Sequence, residues 1–319
     1  MTLDDPIDDL LDVLDLTAEG STTIHVASPG GIGEDLGDSR GDVFLGRSQP
    51  QPHGRVFGGQ VLAQSVIAAG RTVADINQNG DDATDRARPP RPRRIHSMHG
   101  YFLRAGDAER PIRFLVERMR DGHSFSARRV HAVQEGRILL SMITSFQDEA
   151  GGLDHQSEMP QVPGPDEVPS DAEILAGIDH PAARHLAKRA VEIKHVEGPL
   201  FLEAGEPVAQ QHVWFRVPRE LPDDPLLHAA VLAYSSDFSL LEPILRRHGL
   251  VWGDPRLRPA SLDHAMWFHR TPRADDWILY RQASPSAQNG RGLGHGLMFA
   301  QDGTLMASVA QEGMIRVKE

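Results

Sequence analysis

The chain has 319 residues, a hydrophobic fraction of 39%, a formal net charge of −12 and no cysteine. That length allows two ordinary domains or one large one, and the acidic balance argues against the basic face of a nucleic-acid binder. Lack of cysteine excludes disulfides, zinc–thiolate sites and a thiol nucleophile, and it fits a reducing compartment.

The opening stretch is acidic, unlike a signal or transit peptide. Within it Ile7, Leu10, Leu11 and Leu14 recur at helical spacing, giving a short amphipathic helix that caps a domain. Short strands are expected at Thr22–Ala27 and Asp42–Arg47. A long helix follows over Val56–Val73, opened by Gly58 and Gly59, with Val61, Leu62, Ser65, Val66 and Ala69 on its buried stripe. Asn77–Arg94 is a polar, Pro-rich loop holding Arg86, Arg88, Arg91, Arg93 and Arg94. It is either a solvated loop or a phosphate-binding one, since Arg forks suit phosphate oxygens.

Strand-like runs follow at 94–104, 111–119, 124–134 and 137–147, separated by turns such as D-G (121–122) and E-G (135–136). Residues 151–189 read as a linker rich in Gly, Pro and acid, with a short helix at 173–189. It separates an N-terminal unit, 1–150, from a C-terminal unit, 190–319. The second unit has strands at 191–197 and 208–217, a helix at 226–247, then strands at 259–270, 277–284, 292–300 and 304–316. In that helix Leu227, Ala230, Val231, Tyr234, Phe238, Leu241 and Leu245 share one face, with Asp237 inside the apolar sector. In the strand after it, Leu262, His264, Met266 and Phe268 alternate with Ser261, Asp263, Ala265, Trp267 and His269.

A helix followed by several antiparallel strands, twice over, is an α+β arrangement with an internal duplication. E-G-R-I-L-L-S-M-I-T (135–144) aligns with D-G-T-L-M-A-S-V-A-Q (302–311), an offset of 167, and V-L-A (61–63) aligns with V-L-A (231–233), an offset of 170. The two copies differ in polarity. Asp237 corresponds to Ile67, Gln311 to Thr144 and, with Phe102 set on Phe268, Ser261 to Ile95. One polar set per chain follows, in the second copy. Alone, Asp237 is open to two readings: a structural carboxylate satisfied by Ser235, Ser236 or Ser239, or a functional one.

No G-x-S-x-G, H-E-x-x-H, Walker or dinucleotide motif is present. G-R-G-L-G-H-G (290–296) lies between strands and marks close backbone approach or bulges. His96/His99 and His264/His269 lack the spacing of a known metal box, so neither metal nor cofactor is expected.

Five segments, V-F-G-G-Q-V-L-A-Q (56–64), H-S-M-H-G-Y-F-L (96–103), Y-S-S-D (234–237), S-L-D-H-A-M-W-F-H-R (261–270) and V-A-Q-E-G-M-I-R (309–316), resemble the acyl-CoA thioesterase II family. That resemblance implies a double hotdog, each half a long helix wrapped by a curved antiparallel sheet, with halves that pair face to face. It implies hydrolysis of fatty acyl-CoA, with Asp237, Ser261 and Gln311 at positions similar to the family's catalytic Asp, Thr/Ser and Gln. A buried carboxylate can take a proton from water while a hydroxyl and a carboxamide hold that water in line. Gly58, Gly59 and Gln60 are expected at the same cleft, where a helix start offers N–H groups to an oxyanion; a tight helix entry explains the glycines equally. A homodimer or homotetramer is implied too, and a cytoplasmic location is expected, since no stretch spans a bilayer and the C-terminal R-V-K-E is no peroxisomal address. Alternatives are a hotdog hydratase or dehydratase, and a non-catalytic acyl-CoA binder.

Overall fold

The computed structural model describes residues 5–25, 38–79, 92–201 and 203–318. Its first half contains helix α1 (Pro6–Leu14), strands β1 (Thr17–His25) and β2 (Asp38–Gly46), and helix α2 (Gly58–Asn79). Strands β3 (Arg94–Phe102), β4 (Ile112–Asp121), β5 (Phe125–Gln134) and β6 (Arg137–Gln147) complete it. Short helices α3 (Asp171–Leu175) and α4 (Pro181–Leu186) lead to β7 (Glu192–His195) and β8 (Gln210–Arg216). Helices α5 (Pro225–Ser236) and α6 (Glu242–Arg247) come next, then β9 (Leu257–Ser261), β10 (Asp263–Phe268), β11 (Ile278–Gln288), β12 (Arg291–Ala300) and β13 (Leu305–Val317).

The strands form one sheet in the order β1-β2-β4-β5-β6-β3-β10-β13-β12-β11-β8-β7, with β9 added on β13. Reading inward from either end, the order repeats: β3 corresponds to β10, β6 to β13 and β5 to β12. The halves therefore meet edge to edge through β3 and β10, where Met98 pairs with Met266 and His99 with Ala265. They do not meet face to face as expected, because each half's free edge is satisfied by hydrogen bonding to the other.

Helices α2 and α5 pack together against this sheet, running antiparallel. Residues 59–70 of α2 and 228–236 of α5 are buried on every side, which explains their all-round apolar and small-residue composition. The two backbones lie close. A Cβ on Gly59 would run into the carbonyl of Tyr234, and one on Gly70 into Leu226. Helix α1 is capped by Asp5, whose carboxylate accepts from the Ile7 N–H at 2.7 Å, and buries Ile7, Leu10, Val13 and Leu14.

Several boundaries differ from the sequence reading. Helix α2 runs to Asn79 and residues 80–91, with Arg86, Arg88 and Arg91, lie outside the described ones. Arg93 is held by Asp148 (2.9 Å) and by the carbonyls of Gly122 and His123, so it serves the fold rather than a phosphate. Arg94 bonds Thr271. The helix expected over 226–247 breaks after Ser236 and resumes at Glu242, with Pro243, which has no N–H to leave unpaired, in the first turn of the second helix.

The strand expected over 259–270 is interrupted at Leu262. Ser261 pairs with Gly313 but Ala265 pairs with Ala310, so this strand carries one extra residue over the same length of β13. This is a β-bulge. It shifts the alternation by one, so Ser261 and His264 face the same side rather than opposite sides. β3 carries its own extra residue between Ile95 and Ser97.

The glycine-rich stretch of β12 behaves as expected for close approach. Cβ atoms on Gly292 and Gly294 would strike Ile244 and the carbonyl of Leu240. The turn between α5 and α6 thus rests directly on β12. Residues 156–165 run along the second half, where Trp214 Nε1 donates to the Pro163 carbonyl at 2.9 Å.

A buried ionic cluster fastens α3, β7 and α6. Asp171 accepts from His195 Nδ1 and Glu242 from His195 Nε2, each at 2.9 Å. Burial opposes charge on His195, but Asp171 and Glu242 outweigh it and push its pKa up to about 10. Since that value lies above the ordinary 6.5, the cluster's contribution is complete below about pH 6.5 and declines as pH rises toward 10. Melting curves are expected to show Tm falling between pH 7 and 10, and His195→Leu, which leaves two buried carboxylates facing each other, is expected to cost about 3–5 kcal/mol at pH 7.

Candidate active site

Asp237 is the C-cap of α5, at φ −90° and ψ −3°, half-buried where the helix gives way to the turn. Its Oδ1 accepts from Gln311 Nε2 at 2.7 Å and, more distantly, from Ser261 Oγ at 3.5 Å. Gln311 Nε2 also donates to Ser261 Oγ at 2.8 Å. One carboxamide therefore bridges the carboxylate and the hydroxyl. The three residues come from the end of α5, the end of β9 and the middle of β13. The bulge at Leu262 is what turns Ser261 toward the other two.

The start of α2 closes the site from the first half. A Cβ on Gly58 would lie 2.6 Å from Asp237 Oδ2, and the Gly59 backbone N–H lies against the carboxylate and favours its charged form. Burial is the larger influence and pushes Asp237 up to about 6, against hydrogen bonds from Gln311, Gly59 and Ser261 that favour the anion. A carboxylate near that value is charged at neutral pH yet basic enough to accept a proton.

Five of the six residues expected here are thus together: Asp237, Ser261, Gln311, Gly58 and Gly59. The side chain of Gln60 points elsewhere. Its Oε1 accepts from the Gln49 N–H at 2.9 Å and its Nε2 donates to Gln64 Oε1 at 3.0 Å. Only its backbone N–H, in the first helical turn, belongs to the helix start that faces Asp237.

The sequence reading passed over His264 as a member of this site. His264, fully buried, places Nδ1 3.2 Å from Gln311 Oε1 and Nε2 2.9 Å from Ser236 Oγ. The signal was available once Leu262 is taken as a bulge, because His264 then shares a face with Ser261. Beside the site, Phe57 stacks on Phe238 at 4.8 Å and Arg189 lies over Phe238 at 4.5 Å. They line a cavity of about 520 Å³ with Tyr234, Leu200 and Trp252.

The corresponding place in the first half is filled differently. Thr144 is buried and donates to the Arg128 carbonyl at 3.4 Å. Arg128, also buried, binds Asp121 at 2.8 Å and Thr72 Oγ1 at 2.7 Å. Among the described residues no group of three or more His, Cys, Asp or Glu is disposed to hold a metal ion. Asp171 and Glu242 sit on opposite nitrogens of His195, so their oxygens do not converge.

Comparison with known proteins gives this arrangement a family. Residues 183–314 match the model described as acyl-CoA thioesterase, and residues 47–147 match that of the acyl-CoA thioesterase N-terminal domain. Acyl-coenzyme A thioesterase 8 of Homo sapiens is 38% identical, with 87% of this chain and 85% of that protein aligned. Acyl-CoA thioesterase 2 of Haemophilus influenzae is 34% identical over 87% of this chain and 93% of its own. The crystal structure of an acyl-CoA thioesterase II from Mycobacterium marinum superposes with a TM-score of 0.70 at 38% identity, covering 97% of this chain and 99% of that one. An antiparallel sheet made of two equivalent halves, wrapped around paired helices, is the double hotdog. The chain belongs to the acyl-CoA thioesterase II family, whose reaction is hydrolysis of an acyl-CoA thioester.

Because Gly58 leaves no room beside Asp237, Gly58→Ala is expected to displace the carboxylate and lower kcat by about 10- to 100-fold. Gly177→Ala, with nothing within 4 Å of the added Cβ, is expected to leave turnover unchanged. Release of coenzyme A thiol from an acyl-CoA measures both.

Proposed function

We propose that Asp237 is the general base by which this acyl-CoA thioesterase activates water, with Ser261 and Gln311 positioning that water, the hydroxyl directly and the carboxamide by fixing the carboxylate and the hydroxyl, and no covalent enzyme intermediate. The observation that carries the reading is the single carboxamide of Gln311, which donates to both Asp237 and Ser261. With its N–H groups so engaged, the carboxamide fixes the carboxylate and the hydroxyl at one separation. A water held against both Asp237 and Ser261 Oγ, which lie side by side at 3.5 Å, would give its proton to the carboxylate as its oxygen attacks the thioester carbonyl. The developing oxyanion would be met by backbone N–H groups at the start of α2, Gln60 N–H among them, with the helix dipole in support. The leaving thiolate of coenzyme A takes up a proton from Asp237 or solvent.

The cavity beside Phe57 and Phe238 is lined mainly by apolar side chains, with Lys188, Arg189 and Glu242 also reaching it, and its apolar part supports a fatty acyl group as the part recognised, since such walls remove an acyl chain from water at about 0.8 kcal/mol per buried CH₂. Ser261 as a covalent nucleophile is disfavoured because its hydroxyl meets a carboxylate and a carboxamide rather than a histidine. The same proposal includes a cytoplasmic enzyme, suggested by the cysteine-free composition, assembled as a homodimer or homotetramer, and a division into units 1–150 and 190–319 joined by 151–189.

Asp237→Asn is expected to abolish thiol release while leaving acyl-CoA binding within about threefold; retained turnover would place the base elsewhere. Ser261→Thr is expected to keep most activity and Ser261→Ala to lose about 100-fold. The kcat/KM profile is expected to fall below about pH 6, where protonation of Asp237 removes the base.

A further inference from the structure

A carboxamide can face Asp237 with either end. Its N–H₂ end supports the anion, whereas its oxygen end would set two unprotonated oxygens together and disfavour the charge. Nothing in Gln311 itself decides between the two. The decision lies one residue further from the chemistry.

With Nε2 of Gln311 donating to Asp237 and Ser261, Oε1 is left toward His264 Nδ1 at 3.2 Å. An amide oxygen donates nothing, so Nδ1 must carry the proton. His264 is fully buried, and burial keeps its ring neutral, down at about 4 despite the bond to Gln311. A neutral ring with its proton on Nδ1 has a bare Nε2 that must accept. The neighbour of Nε2 is Ser236 Oγ at 2.9 Å, which has one O–H to give. Ser236 is itself buried at the last position of α5, beside Asp237. Donation then runs in one direction: Ser236 to His264, His264 to Gln311, Gln311 to Asp237.

The opposite direction is also self-consistent. Ser236 Oγ lies 2.8 Å from the Ala233 carbonyl and can donate there instead. His264 would then carry its proton on Nε2, and Gln311 would turn its N–H₂ toward Nδ1 and its oxygen toward Asp237. The tautomer of His264 and the end of Gln311 presented to Asp237 are therefore one choice. Asp237 and Tyr280, whose hydroxyl donates to the Ser236 carbonyl at 3.3 Å, are the titratable groups that reach this chain. In the first half, Met98, buried and opposite Thr144, stands where His264 faces Gln311.

We propose that His264 is a positioning residue, which, as its Nδ1–H tautomer set by Ser236, holds the N–H₂ end of Gln311 on Asp237 and Ser261. The proposal rests on the reading of Asp237, Ser261 and Gln311 as the hydrolytic set.

Two measurements test it. In the wild-type protein labelled with ¹⁵N-histidine, ring-nitrogen shifts at neutral pH are expected to report His264 protonated on Nδ1; protonation on Nε2 overturns the proposal and requires no variant to fold. In steady-state assays on an acyl-CoA, His264→Met is expected to lose kcat by about 100-fold with KM within about threefold. Its acid limb is expected to move to higher pH, because Asp237 loses its oriented donor. His264→Asn, whose Nδ2 can stand where Nδ1 was, is expected to recover at least tenfold of the kcat lost by Met and to return the limb. Equal loss by Met and Asn with an unmoved limb, or a His264→Met enzyme within threefold of wild type, overturns the proposal. Asp237→Asn is assayed in parallel. If it retains turnover, the general-base reading fails while the tautomer still judges His264; if it is inactive and His264→Met is not, only the positioning claim fails.

Discussion

The antiparallel contact between α2 and α5 is the constraint on which the site depends. Backbone against backbone, it presents the first turn of one helix to the last residue of the other. Asp237 alone, at the C-terminal end of α5, would face an unfavourable helix dipole. The start of α2 supplies N–H groups of opposite sign to the same carboxylate. This contact needs Gly59 and Gly70, since a Cβ at either would separate the helices. It also needs the sheet to be continuous through β3 and β10, so that both helices lie over one surface.

Asp237, beside an uncharged carboxamide and hydroxyl, has no counter-ion among the described residues. Its charge is borne by hydrogen bonds alone, and burial holds it near neutrality on the pH scale. The contrast is Asp171 and Glu242, buried nearby but neutralised across His195. The first arrangement leaves a carboxylate with hydrogen bonds only; the second pairs two carboxylates across one imidazole and fastens three elements. Local pairing, rather than burial alone, separates Asp237 from Asp171 and Glu242.

Much of this was legible in the sequence. Period-two and period-3.6 patterns mark nearly every strand and both long helices, and the duplication offsets identify the half that carries the polar set. Asp237, Ser261 and Gln311 were recognisable because they stand at positions that resemble the family's catalytic Asp, Thr/Ser and Gln, while Ile67, Ile95 and Thr144 at their counterparts mark which half is polar. What escaped were departures from periodicity. The helix breaks at Asp237 and resumes just before Pro243, and the alternation at Ser261 is shifted by one bulged residue, Leu262. A uniform period cannot register either. His264 escaped for the same reason: placed on the wrong face relative to Ser261, it reads as core. Gln60 is the reverse case, a residue adjacent to the site whose side chain packs behind the helix.

The bulge has a history as well as a geometry. Setting Phe102 on Phe268 brings the extra residue of β3, between Ile95 and Ser97, to the place of Leu262 after Ser261. Two copies of one ancestral segment share an irregularity more simply by inheritance than by separate origin, so the kink predates the doubling of the chain. The ancestral unit already aimed a side chain at its helix. After duplication one copy kept polar groups at that aim and the other filled it with Ile95, Met98 and the buried Arg128. The half without the polar set lends the other the first turn of its helix.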